Sequence, residues 1–569
     1  MRATGPQYWS TSPLSVGAGP AGQNIQAADA RAVSRRMPAV ATGRQWRTAM
    51  VERRDILRLG LAWLALSVPV LSGCGRSPTR GHSLRFDSEA FEELTDTIAT
   101  AGGDRAVTYR FYRAIPYVAK PVDVACQSLN ISVPVAIDAV PVDASRAPIL
   151  FANSVGGYMP SSTAKATGVG AGGMTGMPGM GGMPGDPPPD AMAQVGSGGN
   201  AMISRAGRMV SNARLALAAG YVVVEPGARG RTLRNDEGVY YGVAPAAIVD
   251  LKAAVRYLRA NRRNVPGNMD RIVSSGTSAG GALSALLGAS ADDALYDDAL
   301  AAVGAADASD AVFAAAAWCP ITDLGHADMA YEWNWGENPL ATGGLVNPLE
   351  SAQLAGAFAG YQASLGLHGE GVGALTAETL GPYLVESYLQ PAADRYLASL
   401  PAAERATYLS THSFIRYVDR RSGFSWADFR AHVGARRKSL PAFDAFDLSA
   451  PENNLFGLGK TKARHFTTYS LRKASGDPTA VLDADLPRTL EQMNPMPFLL
   501  EGNRARAKHW WLRVGTRDTD TSLSVLANLA AVAAARGDDV DAAMYWDAGH
   551  GANEDADAFI AWIDRIAGA

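Results

Sequence analysis

Arg271-Ile272-Val273-Ser274-Ser275-Gly276-Thr277-Ser278-Ala279-Gly280-Gly281-Ala282-Leu283-Ser284-Ala285-Leu286-Leu287 is the stretch on which the fold turns. Its opening residues read as a strand, its closing residues as a helix of small and apolar side chains, and G-x-S-x-G lies between them. A strand that feeds a helix through so short a turn forms a sharp elbow, with the serine at its tip strained and its Oγ pointing outward. Such a turn needs neighbours without a Cβ, so that strand and helix can pack close, and Gly276 and Gly280 supply them. The helix N-terminus then aims unpaired N–H groups and a positive partial charge at developing negative charge. Ser278 is therefore the candidate nucleophile and the Ala279 N–H a candidate oxyanion donor. The bland alternative, a glycine-rich turn with a surface serine, is disfavoured by the strand–turn–helix context.

Outward from this elbow, apolar runs bounded by Gly and Pro alternate with helical patterns. Strands are expected at Pro148–Asn153, Tyr221–Glu225, Arg271–Ser274, Val312–Trp318, Trp510–Val514 and Ala542–Trp546. Helices are expected at Arg205–Ala219, Pro245–Asn261, Gly281–Ala289, Ser522–Ala535 and Asp555–Ile566, with Pro245 at a helix start, where its missing N–H has no helical partner. This alternation implies βαβ units and an α/β fold with a mostly parallel central sheet. It breaks between about 322 and 505, a stretch rich in aromatics and helix formers. Residues 322–505 read as an insertion that divides the domain into 75–321 and 506–569. Within the first part, residues 166–190 are so rich in Gly, Met and Pro that they read as a flexible loop. The irregular methionine spacing, without His or Cys, argues against a copper site there.

An oxyanion hole needs a second donor from the loop after an early strand. Asn153-Ser154-Val155-Gly156-Gly157-Tyr158 follows such a strand, and its Gly-Gly lets N–H groups turn inward, which points to Gly157. A general base belongs on a loop beyond a late strand, where His550 stands in Trp546-Asp547-Ala548-Gly549-His550-Gly551. Asp518, in Gly515-Thr516-Arg517-Asp518, follows the preceding strand and is the expected orienting acid. Asp547 is a rival that stands close to His550 in sequence. The order Ser278, Asp518, His550 is that of α/β-hydrolases.

Composition narrows the partners. With 52 basic against 55 acidic side chains the net charge is -3, so no strong field favours nucleic acid. The 3 cysteines, Cys74, Cys126 and Cys319, allow at most one bridge and form no CxxC metal or redox pair. Arg53-Arg54 followed by the apolar run Leu59–Val70 and Leu71-Ser72-Gly73-Cys74 has the layout of an export signal, and the run is shorter than the roughly 20 residues that span a bilayer. The small residues before Cys74 resemble a lipobox, which implies cleavage there and lipidation of Cys74. Residues 1–74 are thus expected to be an N-terminal extension and lipoprotein-type signal, with translation starting at Met50. The mature protein would be exported, periplasmic or at the cell surface, and held to the membrane by that lipid.

At several places together the sequence resembles the bacterial tannases, tannin acylhydrolases related to feruloyl esterases within the α/β-hydrolases. The matching places are the Asn153–Tyr158 loop, Gly276–Gly281, Trp333-Asn334-Trp335, Asn454-Leu455-Phe456-Gly457, the pair Asp518 and Asp520, and Gly549-His550. The resemblance covers roughly 85–569 and implies a lid domain inserted between the sixth and seventh strands, where the alternation breaks. It also implies that Lys438, Glu452 and Asp520 bind the three hydroxyls of a galloyl ring. A planar ring with three adjacent phenols fits this set, because carboxylates accept from it and an ammonium donates to it. Fungal tannases carry a disulfide beside the Ser and His; here Thr277 and Gly549 occupy those places.

The expected function is a serine esterase acting on galloyl esters through an acyl-enzyme, without a metal or organic cofactor. A feruloyl or general carboxylesterase is the alternative within the fold. A catalytically silent surface lipoprotein that binds polyphenols or a partner is the alternative outside it.

Overall fold

The computed structural model describes residues 81–171, 173, 174, 201–204 and 207–568. Cys74, the apolar run before it, the rest of segment 1–74 and most of the Gly/Met/Pro-rich stretch lie outside the described residues. Ten strands form the central sheet: β1 Glu92–Thr100, β2 Gly103–Pro116, β3 Ser128–Ile137, β4 Val140–Pro141, β5 Ile149–Ala152, β6 Val222–Pro226, β7 Ile272–Thr277, β8 Ala314–Trp318, β9 His509–Gly515 and β10 Asp539–Tyr545. Their order is β1-β2-β3-β6-β5-β7-β8-β9-β10, with the short β4 pairing β3. All pairs from β6 through β10 are parallel, while β1, β2, β3 and β6 pair antiparallel. The fold is an α/β-hydrolase with a mostly parallel sheet. Its core strands β5 to β8 are buried along their whole length, as expected of parallel strands covered by helices on both faces.

Five helices pack around these strands at the expected places: α1 Asn212–Ala218, α2 Ala246–Ala260, α3 Ala279–Ala289, and, after the insertion, Ser524–Ala535 and Ala556–Ala567. The first begins later than its sequence pattern suggests. Met209–Ser211 pairs with Ala201–Ile203 instead, and Ser211 caps the helix by accepting from the Arg214 N–H. Helix α3 lies close on the sheet because alanines line Ala314–Ala317 and Gly288 faces Ala315: a Cβ at Gly288 would fall 2.6 Å from that of Ala315.

Residues 322–505 contain helices and two two-stranded hairpins, Arg416–Val418 with Arg421–Gly423 and His368–Gly369 with Gly373–Ala374. Helix α4, Leu324–Trp335, opens this stretch and serves as its platform. On its face the spacing i, i+3, i+4 aligns Asp328, Tyr331 and Glu332. Asp328 accepts from the N–H groups of Phe443 (2.7 Å) and Asp444 (3.2 Å), Tyr331 Oη accepts from Lys438 N–H (3.1 Å), and Glu332 pairs with the buried Arg436 (2.8 Å). One helix face therefore fixes the course of residues 436–444.

The two described cysteines, Cys126 and Cys319, are both free thiols in the interior.

Candidate active site

The loops that carry the site all follow the C-terminal ends of β5, β7, β8, β9 and β10, the usual position of a site in a parallel α/β sheet. At its centre Ser278 follows β7 with φ 60° and ψ −122°, a conformation that a non-glycine residue holds only when its surroundings impose it. Here the surroundings are backbone. A Cβ on Gly276 would lie 2.3 Å from Gly280 O, one on Gly280 would lie 2.7 Å from Val155 O, and one on Gly281 would lie 2.4 Å from Trp318 O. Ser278 N–H donates to Trp318 O (3.0 Å), which ties the elbow to the end of β8.

His550 Nε2 lies 2.9 Å from Ser278 Oγ, and His550 Nδ1 lies 2.8 Å from Asp518 Oδ2. The Asp518 side chain is fully buried, and its other oxygen accepts from Asp520 N–H (3.0 Å). The loop bearing Asp518 is zipped to the loop bearing His550. Thr516 N–H donates to Tyr545 O, Arg517 N–H donates to Ala548 O, and a Cβ on Gly515 would lie 2.2 Å from Ala548 O. Burial alone would lower the basicity of His550. The charge and hydrogen bonding of Asp518 and of Cys319 together outweigh it, and the imidazole pKa stands well above the ordinary 6.5. Cys319 was not singled out in the sequence as part of this site. Its Sγ stands 3.9 Å from His550 Nε2, so two side chains, Ser278 and Cys319, face one ring nitrogen.

Asp547 does not orient His550. Its oxygens are taken by His432 Nε2 (2.6 Å) and by the Tyr408 hydroxyl, both from the inserted stretch.

Ala279 is the first residue of α3, so its N–H has no partner inside the helix. Gly157 stands at φ +53°, which favours glycine and turns its peptide. Asn153 bolts this loop to the elbow by donating from Nδ2 to Ser275 O (3.1 Å) and Gly280 O (3.0 Å). Arg231, also missed in the sequence, fixes the loop from outside: its Nε donates to Gly157 O (2.8 Å) and its Nη1 to Asn454 Oδ1 (2.9 Å). No motif announces it, because its partners are distant in sequence.

Lys438, Glu452 and Asp520 are placed as follows. Lys438 Nζ lies 3.6 Å above the Phe443 ring, on the loop held by α4. Asp520 pairs with Arg437 (3.1 Å) and lies 3.7 Å from His550 Nδ1. Tyr331 links the two regions, accepting from Lys438 N–H and donating to Thr519 O (2.7 Å). Glu452 sits in the short helix Pro451–Leu455, buried to 7% exposure, with Oε2 lacking any hydrogen-bond partner. Its charge acts on Arg231 and on the Tyr158 phenol, which places it at the Gly157 side of the crevice. No hydrogen bond joins Glu452 to Lys438 or Asp520 among the described residues.

Comparison with known proteins sets this geometry in a family. A Fusobacterium nucleatum tannase structure is 34% identical, covering 85% of this chain and 100% of that one, with a TM-score of 0.68. The chain belongs to the tannases. A tannin acyl hydrolase from Lactobacillus plantarum is 32% identical, with 85% of this chain and 99% of that chain covered and a TM-score of 0.68. A tannin acyl hydrolase in complex with ethyl gallate matches at the same identity, coverage and TM-score, 32%, 85% and 99%, and 0.68. The BD-FAE family model matches residues 198–353, which include the elbow. No match is found among curated proteins. The enzyme is a carboxylic ester hydrolase.

Proposed function

We propose that this tannase hydrolyses galloyl esters to gallic acid with Ser278 as nucleophile, His550 as general base and Asp518 as orienting acid. The observation that carries the reading is the relay of 2.9 and 2.8 Å hydrogen bonds from Ser278 through His550 to Asp518, in a chain related along nearly all of a tannin acyl hydrolase that binds ethyl gallate. Ser278 Oγ attacks the ester carbonyl while its proton passes to His550 Nε2, and the N–H groups of Gly157 and Ala279 receive the oxyanion. The imidazolium gives that proton to the departing alcohol. Water, deprotonated by the same nitrogen, then releases gallic acid and restores Ser278. Asp518 stays ionised throughout and holds the imidazole in the required tautomer.

Lys438, Glu452 and Asp520 receive the ring hydroxyls. The buried, unpartnered Oε2 of Glu452 supports this, since a buried carboxylate oxygen without a donor is costly and a phenol supplies one. The BD-FAE match favours feruloyl esters as a second reading. Kinetics of the full chain on methyl gallate, methyl ferulate and a p-nitrophenyl acyl ester separate them: the galloyl reading requires the highest kcat/KM on methyl gallate, and a preference for methyl ferulate overturns it.

The inserted stretch 322–505 acts as a lid over the crevice in this reading. The Arg53–Cys74 signal supports export and a lipid anchor on Cys74, in the periplasm or at the cell surface. Cys74→Ser is expected to free the protein from membranes, and lipid still attached to that variant would refute the anchor.

A further inference from the structure

Three separate parts of the chain converge on Asp547, outside the site described above. Tyr408 and His412 come from the end of helix Ala402–Thr411, His432 from helix Trp426–Val433, and Asp547 from the loop three residues before His550. One donor atom each from His412, His432 and Asp547 all lie within 4.8 Å of one another. The arrangement around them is that of ligands held in place by partners. His412 Nδ1 is 2.9 Å from Tyr408 O, and its Nε2 carries no hydrogen bond among the described residues. A ring nitrogen anchored on a backbone carbonyl with the other left free is the usual support of a metal-binding histidine. His432 stacks on Trp546 with rings 5° from parallel, and His412 stacks on Tyr408 with centroids 4.0 Å apart, so neither ring turns freely. Both Asp547 oxygens already face donors, Oδ1 His432 Nε2 (2.6 Å) and Oδ2 the Tyr408 hydroxyl.

We propose that His412, His432 and Asp547 bind one Zn²⁺ ion that staples the inserted helices to the His550 loop. Two imidazoles and a carboxylate, with water as fourth ligand, form a donor set suited to this borderline ion. Zn–N bonds of about 2.0–2.1 Å put tetrahedral ligands about 3.3 Å apart, so His432 Nε2 and Asp547 Oδ1, now 2.6 Å apart, open slightly as the ion enters while the wider-spaced donors close in. His432 binds through Nε2 as the neutral imidazole, with its proton on Nδ1, and the metal takes the place of the hydrogen bond to Asp547 Oδ1. Arg517, whose charge acts on Asp547, is the cation that opposes binding.

The test is calorimetric titration of ZnCl₂ into the untagged, chelator-stripped full chain, together with thermal melting. One ion per chain and a raised Tm are expected. His412→Gln and His432→Gln should each weaken binding by at least about tenfold, since loss even of a ligand's supporting partner costs 10- to 100-fold. His412, only partly buried, is the variant that folds most safely, and its turnover in metal-free buffer should match that of the parent. Binding no tighter than about 1 mM overturns the proposal. So does binding that survives both variants, or binding abolished by Cys319→Ser, which would move the ion to the thiol beside His550.

Discussion

Glu452 offers the sharpest probe of substrate choice, because removing its carboxylate alters ring recognition without touching Ser278, His550 or Asp518. It is buried, its Oε2 has no partner, and its charge partly offsets the burial that lowers the Arg231 pKa. A phenol that donates to this oxygen forms a hydrogen bond to a charged group, worth about 1.5–3 kcal/mol, or about ten- to a hundredfold in kcat/KM. Glu452→Ala should lose that factor on methyl gallate and almost none on a p-nitrophenyl acyl ester lacking ring hydroxyls. Glu452→Gln keeps a neutral acceptor and should fall between. The alanine variant also strips Arg231 of its countercharge, and Arg231 donates to Gly157 O, so disturbance of the oxyanion loop would lower both substrates alike. The assay is therefore the ratio of the two kcat/KM values, with Lys438→Ala measured beside it. Equal losses on both substrates for Glu452→Gln, or no loss on either, would refute the assignment of the ring hydroxyls to this carboxylate.

Three further outcomes follow from the geometry. His550 must be neutral to act as base, and its pKa is raised, so the acidic limb of kcat/KM should lie above pH 6.5; Asp518→Asn should move that limb down and cut kcat by about 10⁴. Gly280→Ala should leave the fold intact but push the Asn153–Tyr158 loop off α3, because its Cβ meets Val155 O at 2.7 Å; the cost should approach loss of one oxyanion donor, about 10²–10³ in kcat, and near-normal turnover would contradict it. Glu225, buried on β6 and accepting from Gly170 N–H (3.2 Å), has its pKa pushed by burial from 4.5 to about 7. The native state thus keeps a proton that the unfolded chain releases, so stability present below pH 4.5 is lost as pH rises to about 7. Denaturant titrations should show Glu225→Gln gaining up to about 3 kcal/mol relative to the parent across that window, and a constant difference would refute it.

How much of this was legible in the sequence depended on where the determining contacts lie. Strands β5 to β10 announce themselves because each is an apolar run between Gly or Pro punctuation, and the elbow does because its glycines are local to it. Strands β1 to β4 were not foreseen. β1 is Glu-Glu-Leu-Thr-Asp-Thr-Ile-Ala-Thr at the sheet edge, with charged and hydroxyl side chains on its open face and only Ile98 fully buried. The late start of α1 was hidden for a similar reason: the pairing of Met209–Ser211 with Ala201–Ile203 is a tertiary choice that helical periodicity does not report. At the site, Ser278, Asp518 and His550 could be read from chain order and position after strands. Cys319, Arg231 and Tyr331 could not, since each meets its partners only through folding across distances of 74 to 231 residues. Asp547, the rival set aside because it stands too close to His550 to come from the preceding strand, is indeed not its orienter: the fold gives it to His432.

The central claim is a galloyl-enzyme on Ser278, and it is tested most directly by quenching the enzyme with acid during turnover of methyl gallate and mapping the adduct by peptide mass spectrometry. One galloyl group is expected, on the peptide that carries Ser278, and none in Ser278→Ala. A galloyl group on Cys319 or on another residue, or burst-free turnover that persists in Ser278→Ala, would contradict it.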